Sequence, residues 1–391
     1  MSARQRYIVG LSGGVDSALS AALLVEAGHE VHGVYLKAWN GSEVGYQRSE
    51  IRPDEFRFAG SCPWKDDIAD ARRVAAHLGI PFTVIDVHEA YRARVVDVML
   101  AEYAAGRTPN PDILCNREMK FGLLVDLVNE LQYDAVATGH YARVNSEQSG
   151  VSSRGSRLPL TVHYSLERAT DERKDQTYFL WTLTQDQLRM IRFPIGHLTK
   201  PEVRVEAQRR NLPVADKRDS QGICFLGPVE LRRFLVASLA TEPGDVVDRA
   251  GNVVGTHQGA PAYTIGQRHG FDVRSTTCLA GRRAHESRTH YVVEKDIERN
   301  RLIVDTKPPI TAELTATELS WIGAAPSIDD RLEARIRHGQ VPQPATIKSI
   351  NHESAHMNLC FEEPQLAVAS GQSVVFSDGS RILGGGIIAT R

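Results

Sequence analysis

SGGVDS, residues 12–17, joins the apolar run YIVGL at 7–11 to a stretch patterned as a helix at 15–27. A glycine-rich turn between a strand and a helix is a cradle for phosphate. Glycine lets the backbone bend and approach a ligand closely, while the helix start offers free amides and the positive end of a dipole. Two hydroxyls, of Ser12 and Ser17, flank the cradle. A Walker loop would need a lysine closing G-x-x-x-x-G-K, and none stands here. Transfer of a γ-phosphate is therefore not the expected chemistry. Asp16, placed beside a phosphate, makes best sense with Mg²⁺ between the two anions.

Outward from the cradle, strands and amphipathic helices alternate as in a parallel α/β sheet. Val15, Leu19, Ala22 and Leu23 share one helical face, Gly28 stops that helix, and residues 31–36 read as the next strand. Residues 66–78 follow as a helix stopped by Gly79, then 82–87 as a strand, 91–103 and 116–131 as helices, and 135–138 as a strand. Such sheets bind ligands beyond the carboxyl ends of their strands. Leu36, Gly139 and His140 follow strands on that rim and are candidates to border an adenine or ribose. A lone histidine such as His140 is more often structural.

Polar stretches at 40–60 and 145–157 read as surface loops. From residue 201 the chain turns basic, with Arg204, Arg209, Arg210, Lys217, Arg218, Arg232 and Arg233 close together, which suggests a small connecting domain. After residue 288 short strands with tight turns predominate, 291–293 against 302–304 and 373–376 against 381–383, the pattern of a small β-barrel. The expected division is 1–205, 206–285 and 286–391.

Composition sets limits. At 391 residues and 42% hydrophobic content the chain can build two or three domains with proper cores. Its polar start, MSARQR, and the lack of any apolar run long enough to span a bilayer predict a cytoplasmic protein with no signal peptide and no membrane partner. Five scattered cysteines without C-x-x-C spacing make neither a disulfide scaffold nor a zinc site. A net charge of −2 argues against a protein that coats nucleic acid, though local basic patches remain compatible.

Two cysteines matter most, although a cysteine taken singly is more often a small buried hydrophobe. Cys115 closes GRTPNPDILC, 106–115, and directly precedes the helix expected from Asn116; a thiol at a helix N-terminus has its thiolate stabilised. Cys224 follows a glycine in DSQGICFLG, 219–227.

SGGVDS resembles the signature of the PP-loop ATP pyrophosphatases. Together with GRTPNPDILCN at 106–116, ATGHYAR at 137–143, KDQTYFL at 174–180, GICF at 222–225, TIGQRHG at 264–270, GQSVVF at 371–376 and LGGGII at 383–388, the chain resembles the tRNA-specific 2-thiouridylase family over nearly its whole length. The resemblance implies a parallel-sheet PP-loop domain of the adenine nucleotide alpha hydrolase-like kind, a small central domain and a C-terminal β-barrel. It implies ATP held by Gly10, Leu11, Ser12, Gly13, Gly14, Val15, Asp16 and Ser17, with Leu36 and Gly139 beside them and Mg²⁺ balancing charge. The wobble uridine of tRNA, position 34, would be adenylated on its carbon-2 oxygen. A persulfide on Cys224 would then deliver sulfur, and Cys115 would release it as a disulfide forms. Asp112 would contact the base and move a proton, or else brace the turn after Pro111. Asn110, Pro111 and Asp112 would surround the flipped base, and His140, Lys174, Asp175, Gln176, Arg337, His338 and Gln372 would touch the tRNA. His338 stands where the family pattern expects tyrosine, and Leu36 where methionine is common.

The expected acceptors are tRNAs for Lys, Glu and Gln, and the expected sulfur partner is a cysteine desulfurase or a relay protein. Cys62, Cys278 and Cys360 read as structural or, for Cys62, regulatory. A rival mechanism has Asp112, Cys115 and Cys224 hold an iron-sulfur cluster. Rival functions are a PP-loop amide or guanidine synthetase, indifferent to both cysteines, and an inert tRNA-binding factor.

Overall fold

The structure is a computed structural model that describes residues 3–38, 63–151, 157–219, 231–273 and 289–389. Cys62, Cys224 and Cys278, and the stretch 40–60, lie outside them.

Five parallel strands form the first sheet in the order Phe82–Asp86, Glu30–Lys37, Arg6–Gly10, Ala135–Ala137 and Ile191–Arg192. Helices cover both faces, so the central strand is apolar throughout rather than alternating. Ile8 points into one core with Met99, Met119, Phe121 and Leu124, and Val9 into the other with Leu19, Ala71, Val74 and Val203. The chain runs outward from Arg6–Gly10 in one direction and later returns on its other side. The crevice between Arg6–Gly10 and Ala135–Ala137 is therefore the topological switch point, where such sheets bind ligands.

Several elements differ from expectation. The helix expected from Asn116 starts at Pro111: Pro111–Leu114 is α-helical, Cys115–Leu123 widens to a π-helix, and Leu124–Glu130 completes it. Asn110 is its N-cap, accepting from the Asp112 amide at 3.1 Å, with proline at the first helical position. The stretch 145–157 is no simple loop. Ala142–Val151 and Arg157–Arg168 pair as a long hairpin, whose second strand joins the C-terminal barrel through Leu166 and Ile382.

The central unit is a five-stranded sheet, Asp272–Val273, Val253–His257, Gly244–Val247, Arg301–Asp305 and Tyr291–Asp296. The strands around 291–293 and 302–304 pair as read, but Arg301, Leu302 and Ile303 lie parallel to Asp245, Val246 and Val247. A boundary at 286 would thus split this sheet, and one at 205 would cut the helix Lys200–Arg209, which packs on Val15–Glu26. The C-terminal barrel has six strands, Ile310–Trp321, His356–Leu366, Gln343–Asn351, Arg331–Arg335, Ser373–Asp378 and Arg381–Ile388. It is closed by pairing of the first with the last. No helix among the described residues is long and apolar enough to cross a membrane.

Candidate active site

The cradle has the backbone that its sequence requires. Gly13 adopts φ +77, and a Cβ there would meet the Asp67 carbonyl at 2.4 Å, so both conformation and space demand glycine. Gly14 is the N-cap of Val15–Glu26 and no side chain caps that helix start. An uncapped N-terminus in front of a glycine turn suits an anion. Ser17 Oγ donates to the Gly14 carbonyl at 3.0 Å, receives the Ser12 amide at 3.2 Å and lies 3.2 Å from Ser12 Oγ, tying the two ends of the loop together. These residues fit a pyrophosphate group.

Gly10 ends the central strand, and the Leu11 amide donates to Val34 at 2.8 Å, which aims the chain into the cradle. Leu36 turns its side chain into the core, so only its backbone faces the rim. Gly139 lies against the cradle: a Cβ there would stand 2.6 Å from the backbone of Asp16 and of Ser17. His140 is buried, with Nδ1 2.8 Å from Thr138 Oγ1 and its ring against Phe121 and Phe193. Burial first, and then the charge of Lys120, push its pKa well below the usual histidine value.

Asp16 does not stand alone. Lys200 Nζ lies 2.8 and 2.9 Å from its two oxygens, and the Tyr141 hydroxyl donates to it at 2.9 Å. Burial, followed by the Asp16 charge, pushes the Tyr141 phenol far up, so it stays a donor. Lys200 also meets Asp219 at 2.8 Å, and Asp219 is held by Lys174 at 2.7 Å and Arg204 at 2.9 Å. Burial opposes the Asp219 charge, but bonds from Lys174 and Lys200 outweigh it and hold the pKa at about 2. On the other side of the cradle Lys217 meets Asp67 and Asp70, each at 2.6 Å, and the Gly13 carbonyl at 3.1 Å. The basic run after residue 201 is thus largely neutralised by acids packed against it. Lys200, Asp219 and Tyr141 were not singled out by sequence reasoning, yet the Thr199–Glu202 capping box with Pro201 marks the helix start that presents Lys200.

Asp112 and Cys115 sit on the helix that follows the 106–110 loop. The helix packs on the face opposite Val15–Glu26 and runs from beyond the carboxyl edge of the sheet back to the start of Ala135–Ala137. Leu124, nine residues after Cys115, packs against Gly10 at the strand end. Cys115 is fully buried and stands one turn inside the helix. This corrects the expectation that it occupies a helix N-terminus, because the Asn110 cap and Pro111 start the helix earlier. Asp112 is partly buried.

The loop before this helix is gripped by the central unit and the barrel. The Thr108 amide donates to Ser370 at 2.8 Å and its carbonyl accepts from Gln372 Nε2 at 2.7 Å. Its hydroxyl lies 3.4 Å from that of Thr264. A Cβ on Gly106, φ +79, would meet Ile297 at 2.7 Å.

Residues 174–176 divide among three protein partners. Lys174 goes to Asp219. Asp175 is buried in an ion pair with Arg335 at 3.0 Å. Gln176 pairs through Oε1 and its amide with the Tyr141 backbone, both at 2.9 Å. Asp175 therefore holds the barrel to the first domain instead of facing outward, because an exposed route to it is closed by Arg335 and Thr177. Arg337 donates to the carbonyls of Leu366 and Ala367 at 2.9 and 2.6 Å. His338 lies 4.6 Å from the Phe179 ring, with Nε2 3.1 Å from the Asp175 carbonyl. Arg337 and His338 line a cavity of about 410 Å³ with Gln340, Gln343, Glu363 and Gln365. Among the described residues no group of three His, Cys, Asp or Glu side chains is placed to hold a metal ion.

Comparison with known proteins agrees with this geometry. A family model described as the tRNA methyl transferase HUP domain matches residues 5–228, the PRC-barrel domain of the same family matches 232–306, and the aminomethyltransferase beta-barrel domain matches 311–388. Among relatives, tRNA-specific 2-thiouridylase MnmA of Akkermansia muciniphila is 42% identical, covering 97% of this chain and 98% of the relative. Those of Alkalilimnicola ehrlichii and Geobacter metallireducens are each 41% identical, covering 100% and 99% of this chain and 99% and 97% of their own. With likeness at this level across all three domains, the chain belongs to the tRNA-specific 2-thiouridylase family.

Proposed function

We propose that this protein is a cytoplasmic tRNA-uridine 2-sulfurtransferase, which uses ATP to convert the wobble uridine of tRNAs for Lys, Glu and Gln to 2-thiouridine. The observation that supports this reading is the approach of the Asp112–Cys115 helix to the end of the central strand, where the cradle begins, in a chain alike end to end to 2-thiouridylases.

A uridine carbonyl oxygen is a poor leaving group, so it must first attack the α-phosphate of ATP. A carbon–oxygen–phosphorus linkage forms and pyrophosphate departs. The amides at the start of Val15–Glu26 and the Ser12 and Ser17 hydroxyls receive that pyrophosphate. Asp16 would hold Mg²⁺, which when bound would offset phosphate charge. The terminal sulfur of a Cys224 persulfide then bonds to carbon 2. Cys115 attacks the inner sulfur, AMP leaves, and a Cys115–Cys224 disulfide remains. A thiol reductant restores the two thiols, and a cysteine desulfurase or a relay protein reloads Cys224. Asp112, at the start of the helix, orients the base and takes its proton. Arg337 and His338 in the barrel cavity receive the anticodon stem-loop, His338 by stacking.

Release of pyrophosphate from ATP, measured with and without unmodified tRNA, tests the adenylation step. Release only with tRNA is expected; release that ignores tRNA would point to a synthetase acting on a small molecule.

A further inference from the structure

We propose that Cys115–Leu123 is a two-state element: its widened helix is a resting form that keeps the Cys115 thiol in the core, and a shift to ordinary α-helix turns that thiol out. That Cys115 must react at all rests on the function proposed above.

The helix is α-helical over Pro111–Leu114 and Leu124–Glu130 and widened between them. Nine residues is long for a widening of this kind, which mostly occurs as a single turn and frequently at functional sites. Cys115 is 0% exposed and shares its core with Ile113, Met119 and Phe121. Apolar burial favours the neutral thiol, whereas the thiolate is the nucleophile. As placed, the sulfur is both out of reach and in its unreactive form. Its neighbour Asn116 is buried as well. Asn116 Nδ2 reaches the Phe179 carbonyl at only 3.4 Å, and Oδ1 is a buried acceptor with no donor among the described residues. Flipping the amide would set oxygen against oxygen at Phe179, so the unmet acceptor belongs to this form of the helix. A buried acceptor without a donor destabilises the form that contains it.

Two features hold the widened form against that cost. Gln187 Nε2 donates to the Phe121 carbonyl at 3.1 Å from outside the helix, and Gln187 is itself fixed because its Oε1 accepts from the Thr184 amide at 3.1 Å. Residue 122 is glycine, and a Cβ there would stand 3.0 Å from the Arg117 carbonyl, five residues back. The wide turn creates that crowding, whereas an α-helix accepts alanine readily. Exchanging i→i+5 for i→i+4 bonds shifts the register by one residue, a turn of about 100°. Leu124, Val125 and Val128 are buried in the core with Ile8 and Val136 and fix the later part of the helix. The turn therefore falls on the part that carries Asp112 and Cys115.

The test is alkylation of Cys115 by iodoacetamide in the full-length protein, without ATP or tRNA, read by peptide mass spectrometry. Gly122→Ala should speed it at least about fivefold, the factor by which an α-helix alone prefers alanine to glycine. Gln187→Leu, which removes the bond to Phe121, should also speed it. In the wild-type protein the rate should rise only weakly with low urea, because a local shift exposes little new surface. Equal rates in Gly122→Ala and wild type would overturn the proposal, as would a wild-type rate that follows global unfolding. Neither readout involves thiolation, so a protein that alkylates as expected yet forms no 2-thiouridine would sink the proposed function and leave the two-state helix standing.

Discussion

Gln372 Nε2 donates to the Thr108 carbonyl at 2.7 Å, joining the C-terminal barrel to the loop that leads into Asp112 and Cys115. Thr108 also meets Ser370 and Thr264, so the central unit and the barrel together set the first domain's approach to the Asp112–Cys115 helix. Under the proposed function, tRNA seated on the barrel would set the geometry of the Asp112–Cys115 helix through these bonds.

Gln372→Ala should remove about 1 kcal/mol of this attachment and lower the rate of thiolation about fivefold, with pyrophosphate affinity unchanged. Gly371→Ala should be worse. Gly371 has φ +87 and a Cβ would stand 2.7 Å from the Thr108 amide, so the loop must shift. Single-turnover rates with saturating ATP check both.

Asp175 and Arg335 are each almost fully buried, with side chains 3% and 6% exposed. Arg335→Met leaves a buried carboxylate without its cation and should cost about 3–5 kcal/mol in chemical denaturation. The double variant Asp175→Asn/Arg335→Met should recover part of that loss. Equal stability of Arg335→Met and wild type would mean that the pair does not hold the barrel in place.

Gly139→Ala tests the close packing of the strand end on the cradle. Its Cβ would meet backbone atoms of Asp16 and Ser17, which cannot rotate away as a side chain would. Pyrophosphate affinity should fall at least about tenfold while tRNA still binds; wild-type pyrophosphate affinity would show that the crevice is wider than described.

His140 supplies a pH dependence. Its folded pKa lies well below its unfolded value of about 6.5, so between the two the unfolded chain binds more protons. Stability from this residue is therefore complete above about pH 6.5 and falls as pH drops toward the folded value. Denaturation midpoints should decline across that window in the wild-type protein and less steeply in His140→Gln, which keeps a polar atom for Thr138.

The parallel sheet, the cradle and the hairpin Ser373–Asp378 with Arg381–Ile388 were legible because each rests on local pattern: apolar runs, glycine at a turn, and Asp378-Gly379 between strands. The Cys115 helix starts earlier than expected although Asn110 and Pro111 spell an N-cap followed by proline, because prolines at 109 and 111 equally suit an extended approach. The hairpin Ala142–Val151 with Arg157–Arg168 was not legible because the sequence at 145–157 is polar and its barrel partner, Ile382, lies more than two hundred residues from Leu166. Strands near 291–305 were read correctly but assigned to the wrong sheet, since a parallel partner at 245–247 leaves no mark in their own sequence. At the site, the residues of the cradle lie in one motif, whereas Lys200 reaches Asp16, and Asp219 reaches Lys200, only through tertiary packing. The engagement of Asp175 by Arg335 was equally invisible, because the two are 160 residues apart.

Nucleoside mass spectrometry of unmodified tRNA incubated with the protein, ATP, Mg²⁺ and a persulfide-generating desulfurase tests the central claim most directly, with Cys115→Ser and Cys224→Ser in parallel. The expected result is a 2-thiouridine peak in the wild-type reaction that is lost in both variants. Tightly tRNA-dependent pyrophosphate release without any 2-thiouridine, or a thiolated product that survives both substitutions, would contradict it.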